Sequence, residues 1–484
     1  MGFFQSVESE SATKCCSTLG VSRAFCKVWF QRVSGRHKPP YEASACLSPR
    51  QGITFQLLPE ILVWLRFMAL GKTTATLAHG TLVEARDCTD SLFRLVPADT
   101  WYSRPVPERH RLLFYLGHLD AFDWNLISRY LDLGSCHTPF DSLFAFGIDP
   151  KPGQLPEDKP SDWPSLEEVR KYVRCVRERL DEVLQQVTPI LLDVAIEHRF
   201  MHAETFTYLL HDFDKPMPRQ KPWLQGTVRS SICQSDNMVD VPAGIATLGQ
   251  TGKVNDAGEL EADEFGWDNE FGVQRIELPA FQVDKHKVTN RQYLTFVETG
   301  AAPPYFWRRR RGEWLLRTFW GEIRLPLDWP VYVTHREAQA YARWIGKSLP
   351  SEAQFHRAAY GTTNGEERRF PWGDAEPDPQ RGNFNFFHWN PIPVTANPLG
   401  ESAFGVAQLV GNGWEWTRST FSPLPDFRPF PFYPGYSAPF FDGEHYVLKG
   451  GSPRTAARLL RRSYRNWFRP DYRYVYAGFR CVEN

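Results

Sequence analysis

No CxxC pair occurs anywhere in the 484 residues, although the chain carries nine cysteines. Four of them fall within the first 46 positions and the rest are scattered, which excludes a zinc knuckle and argues against a disulfide framework. A reducing cytoplasm is the expected location. Net charge is also missing, because 56 Lys and Arg balance 56 Asp and Glu. There is therefore no overall field to draw nucleic acid or an anionic membrane. Nor is there an uninterrupted apolar run of membrane length: the stretch from Ile53 to Leu70 is broken by Pro59, Glu60 and Arg66. Residues 1–75 show little periodicity and no recognisable chemistry, and are expected to be an extension, a targeting segment or a wrongly assigned start.

What is present divides in two. From about Thr81 to Phe213 the helical period dominates, and Val169, Val173, Val176, Leu180, Val183 and Val187 recur at steps of four and three. Thr188 and Pro189 fit an N-cap and first helical residue, and an earlier helix is expected to begin near Pro107. A helical bundle over 76–214 follows, then a proline-rich strap over 215–235. Over 236–484 short apolar runs such as "GIATLG", "FQVDKHKV" and "HYVLKGGS" alternate with turns, and "HREAQAYARWIGK" is the clear helix. That half is expected to be α+β with much loop. The basic run Arg308 to Arg311 is expected to be a solvated hairpin rather than an anion site.

The segment "IEHRFMHAETF" puts His198 and His202 four apart, hence on one helical face, in a stripe with Leu191, Val194, Thr205 and Leu209. His118 lies on the inward face of the earlier helix with Phe114, Tyr115, Ala121 and Phe122, whereas His110 is turned away from it. Three neutral imidazoles converging in a bundle core leave coordination positions open, which suits catalytic Zn(II) or a non-haem Fe(II). Glu197, Glu204 and His211 are candidate supports for those ligands.

The ordered strings "LGHLDAFDWN", "EHRFMHAET", "DKHKVTNRQYLTFV", "YARWIGKSLPSEAQFHRAA", "FPWGD", "LVGNGWEWT", "VLKGGS", "YRNW" and "AGFRC" together resemble the ergothioneine-biosynthesis sulfoxide synthases. The resemblance implies a two-domain α+β chain: a DinB-like four-helix bundle followed by a loop-rich domain of the formylglycine-generating-enzyme, C-type-lectin-like kind. It implies Fe(II) on His118, His198 and His202, and small-molecule partners: O2, a hercynine-like imidazole or amine, and a cysteine-type thiol. Tyr433 matches the catalytic tyrosine, a proton donor, and Tyr436 a tyrosine on the substrate side. Asn466 and Trp467 match contacts to the histidine-derived substrate. One branch holds γ-glutamyl-cysteine with an Asp and an Arg where this chain has Phe468 and Tyr472, so a smaller thiol such as cysteine becomes plausible, with Arg469 or Arg473 as substitutes for the lost charge. Met201 stands where the family often has Gln. Competing readings are a formylglycine-generating enzyme, disfavoured because Cys481 has no second cysteine beside it, a zinc-dependent DinB-type thiol transferase, and a non-catalytic binding module.

Overall fold

The computed structural model describes residues 74–146, 155–213 and 237–483. The proline-rich strap and the first 73 residues, with the apolar stretch from Ile53, lie outside them. Among the described residues no helix is long and apolar enough to cross a membrane.

The first half is a bundle of four long helices, α1 (Thr74–Phe93), α2 (Leu112–Tyr130), α4 (Leu166–Val183) and α5 (Pro189–His211), with a short α3 (Thr138–Phe146) between. Helix α4 starts at a reciprocal cap: Ser165 accepts from the Glu168 N–H while Glu168 accepts from the Ser165 N–H. Its valine stripe is buried at Val169, Val173 and Val176. Thr188 and Pro189 do start α5, as expected, but α2 begins at Leu112, five residues past Pro107. The reason lies upstream. Residues 101–111 fold back, so the Leu112 and Leu113 N–H groups donate to the Ser103 and Trp101 carbonyls (3.1 and 2.8 Å), and Arg111 provides no side-chain cap.

Helix α5 is buried nearly all round rather than along one stripe, because α1 and α2 pack on it from the bundle and the second domain covers what remains. Several of its polar residues are held by partners on either side. On the bundle side Arg199, fully buried, donates to Asp123 (2.7 Å) and Asp120 (2.6 Å) of α2. On the other side Asp193, Glu197, Glu204 and His211 form a stripe at steps of four and seven that meets the second domain.

That second domain is built of short sheets. In one, strand 446–449 lies between 466–468 and 414–420, and 414–420 pairs in parallel with 477–478. In another, 281–284 lies between 238–241 and 482–483. Three helices flank them: α6 (Asn290–Glu298), α7 (His335–Trp344) and α8 (Glu352–Tyr360). Only α7 is apparent from apolar periodicity; α6 and α8 are announced by capping boxes, Thr289 with Gln292 and Ser351 with Gln354. The arginine run is a hairpin, with strands 307–310 and 313–318 joined through Arg311 and Gly312 at positive φ.

Arg461 ties the two halves together. Its guanidinium bridges Glu197 of α5 (Nη2 to Oε2, 3.0 Å) and Glu270 (Nη2 to Oε1, 2.7 Å), all three side chains being largely or wholly buried. Burial pushes the Glu197 carboxyl up despite Arg461, while for Glu270 burial is outweighed by Arg461 and the carboxyl is held below its usual value. Replacing the cation would strand two buried carboxylates. Arg461→Met is expected to cost about 3–5 kcal/mol in a denaturant titration; a loss below about 1 kcal/mol would show that the bridge does not secure the seam.

Candidate metal centre

His118 comes from α2, and His198 and His202 from α5. One nitrogen of each lies within 4.8 Å of those of the other two, and all three side chains are buried or nearly so. Ring centroids are 5.1 Å apart for His118 and His198, 4.9 Å for His118 and His202, and 4.5 Å for His198 and His202. Burial pulls His118 down to about 4, and both other rings well below the ordinary histidine value, their mutual repulsion adding to it. The rings are therefore neutral at physiological pH, with lone pairs available. Nδ1 of His198 and Nδ1 of His202 are buried without a hydrogen-bond partner, so the cluster has unmet bonding capacity of the kind a divalent ion satisfies.

The orientation of His118 is set locally. Its Nδ1 meets the Phe144 carbonyl at 2.7 Å, which turns Nε2 toward the other rings. Gly117 makes that approach possible, since a Cβ there would lie 2.4 Å from the Phe144 ring. Glu197, Glu204 and His211 do not support the ligands. Glu197 accepts from Trp267 Nε1 (2.9 Å) and Arg461; Glu204 accepts from Trp414 Nε1 (2.8 Å) and Thr455 (2.7 Å); His211 meets the Tyr476 hydroxyl (3.1 Å) and the Arg317 carbonyl (3.0 Å). One residue along the helix from His198, Glu197 already faces the other domain.

Phe122 stacks on His198 with centroids 3.6 Å apart, and Tyr433 meets the edge of Phe122 at 5.2 Å. Tyr433 and Tyr436 sit on successive turns, the Tyr433 N–H donating to Phe430 and the Tyr436 N–H to Tyr433 (3.1 and 3.3 Å), while Ser437 anchors the loop by donating to Asp268. Burial, aided by Asp268, raises the Tyr433 phenol to about 12, so it stays protonated. Tyr436 stacks on Trp267 at 4.0 Å, faces Trp467 edge-on at 5.4 Å, and donates to Met201 Sδ at 3.3 Å. Met201, Tyr436, Trp467 and Tyr433 thus share one aromatic wall with the ligand helix. Asn466 accepts from the Trp467 N–H at 2.9 Å. Phe468 is stacked on Tyr472. Of the substitutes for charge, Arg469 pairs with Glu444 at the surface and Arg473 lies over Tyr305, so each has other company.

Two lining residues escape sequence reasoning. Trp267 sits in an irregular stretch with no periodic signal, and Phe122 looks like one more core aromatic. Cys481 is buried, its N–H donates to Asp284, and burial drives its thiol well above the usual range, the opposite of what activates a cysteine.

Profiles of two known families cover the chain: the DinB superfamily over residues 81–211 and the sulfatase-modifying factor enzyme 1-like domain over 225–484. A protein of Mycolicibacterium smegmatis named hercynine oxygenase is 33% identical over 363 residues, spanning 68% of this chain and 79% of that protein. The chain belongs to the hercynine oxygenase family. Ergothioneine biosynthesis protein 1 of Neurospora crassa is 26% identical over 493 residues, covering 81% of this chain and 56% of that protein. A formylglycine-generating enzyme of Thermomonospora curvata is 27% identical and covers 56% of this chain. The hercynine oxygenase match runs through more of the chain than one domain supplies, in keeping with a site assembled from both.

The Gly117 contact gives a direct check on this geometry. Gly117→Ala is expected to push Phe144 off His118 and weaken metal affinity roughly 10- to 100-fold, measured by titrating Fe(II) or Co(II) into the apoprotein; unchanged affinity with an intact fold would remove the carbonyl from its orienting role.

Proposed function

We propose that the chain is a non-haem Fe(II) enzyme that uses O2 to join the imidazole of hercynine to a cysteine-type thiol as a sulfoxide, a step of ergothioneine biosynthesis. The observation that carries the reading is the juxtaposition of three neutral, buried imidazoles with an aromatic wall from the second domain. His118, His198 and His202 would hold the metal. Iron, when bound, supplies open coordination positions and the electrons with which dioxygen chemistry begins. The overall change balances: an imidazole C–H and a thiol S–H are lost, a C–S and an S=O bond form, O2 takes up four electrons, and water leaves.

The protein's own groups account for the rest. Trp467 and Tyr436 offer ring faces to a quaternary ammonium, and the Asn466 amide has an N–H donor for a carboxylate. Tyr433, protonated and separated from His198 by the Phe122 ring alone in the aromatic series, is the proton donor. Met201 and Tyr436 bring a thioether and a hydroxyl together where the substrate's ammonium end would lie. The four described cysteines, Cys88, Cys136, Cys175 and Cys481, are free, in keeping with a cytoplasmic enzyme.

The test is anaerobic loading with Fe(II), then O2 and hercynine with cysteine or γ-glutamyl-cysteine, and products read by mass spectrometry. A sulfoxide adduct is expected. Metal binding with no adduct from either thiol would overturn the reaction, and selective loading of zinc would favour the thiol transferase. His202→Ala is expected to lose iron and turnover together. Tyr433→Phe should retain iron while sulfoxide formation falls at least tenfold or gives way to thiol oxidation; an unchanged product spectrum would remove Tyr433 from the proton-donor role.

A further inference from the structure

Phe468 and Tyr472 stack with centroids 4.8 Å apart and leave their side of the site without a charge of its own. The bundle restores one. Arg109, in the loop before α2, donates from Nε to the Tyr472 hydroxyl (3.0 Å) and from Nη2 to the Tyr208 hydroxyl (3.4 Å), and its guanidinium carbon lies 5.3 Å from the centre of the Tyr472 ring. Both acceptors are phenols, and burial keeps Tyr472 protonated. Nearby Arg104 and Arg111 both pair with Asp158, whereas Arg109 meets no carboxylate among the described residues. Arg109 is half-buried, and a partly desolvated guanidinium with no carboxylate beside it is suited to take an anion from a ligand.

Its place in the fold says which anion. Tyr208 belongs to α5, six residues beyond His202, and Tyr115, close enough to Arg109 to feel its charge, has its ring 5.9 Å from that of His202. With Nε and one N–H of Nη2 engaged, the edge formed by Nη1 and the second N–H of Nη2 is left, and that edge fits a carboxylate through two parallel hydrogen bonds. The tyrosines fix the plane of the fork. Tyr472 therefore does more than remove an arginine: it holds one contributed by the other domain.

We propose that Arg109 receives the α-carboxylate of the thiol substrate, so that the site selects a thiol of the cysteine class over thiols lacking that group, with Tyr472 and Tyr208 as positioning residues. This rests on the reaction proposed above. A lysine would keep the charge but lose the planar fork.

The experiment uses the full chain, loaded anaerobically with Fe(II) and saturated with hercynine, and measures binding of L-cysteine and of cysteamine, which has no carboxylate, by calorimetry. Arg109→Met is expected to weaken L-cysteine roughly 10- to 100-fold, to change cysteamine by less than about threefold, and to leave iron content intact; Arg109→Lys should recover only part of the loss. Equal losses for the two thiols, or none for L-cysteine, would overturn the assignment. Admitting O2 separates the two levels of inference. Arg109-dependent L-cysteine binding without a sulfoxide would leave the anchor standing and the reaction refuted. Sulfoxide formation with the same KM for L-cysteine in wild type and Arg109→Met would do the reverse.

Discussion

Charge buried on opposite sides of one helix governs this molecule. An ion taken out of water is tolerable only with its partner in place, and α5 carries such ions toward both of its neighbours. Arg199 meets Asp120 and Asp123 of α2, and Glu197 meets Arg461 and Trp267 of the second domain. The first set fixes how α2 and α5 slide past each other; the second fixes how the second domain seats on α5. His198 lies between Glu197 and Arg199 in the chain, so the position of an imidazole is determined by both at once. A shift large enough to misplace the ring would break a buried ion pair.

The division of labour follows from what each architecture does well. A bundle holds side chains at defined helical spacings against rigid neighbours, which suits three nitrogens that must converge to within 4.8 Å. The second domain, made of short sheets and long connections, presents rings at varied angles: Trp267 and Tyr436 nearly parallel, Tyr436 and Trp467 nearly perpendicular, Tyr433 across Phe122. Such a lining can surround a flat imidazole and the quaternary ammonium attached to it with π faces. Met201, on the helix turn that carries His202, touches Tyr436, so the nitrogen face and the aromatic face share an edge.

The histidine triad was legible because helical periodicity reports which face of a helix turns inward, and His118, His198 and His202 all fell on that face. Periodicity does not report which neighbour a second face will meet. Glu197, Glu204 and His211 accordingly looked like supports for the ligands and are instead partners of Trp267, Trp414 and Tyr476, residues 70 to 265 positions away. The start of α2 was misplaced because Pro107 suits a first helical turn, while the decisive contacts are carbonyls of Trp101 and Ser103 in a loop that folds back. Helices α6 and α8 had a local signal, in their Thr/Gln and Ser/Gln caps, that apolar pattern alone passes over. Arg109 had none, since nothing near it in sequence foretells a bond to Tyr472.

An anaerobic crystal structure of the full chain with Fe(II) and hercynine tests whether one site at the seam takes metal from the bundle and substrate from the second domain. A single ion is expected on nitrogens of His118, His198 and His202, with the trimethylammonium group against the Trp467 and Tyr436 rings. An ion bound elsewhere, or hercynine held out of contact with that aromatic wall, would contradict it.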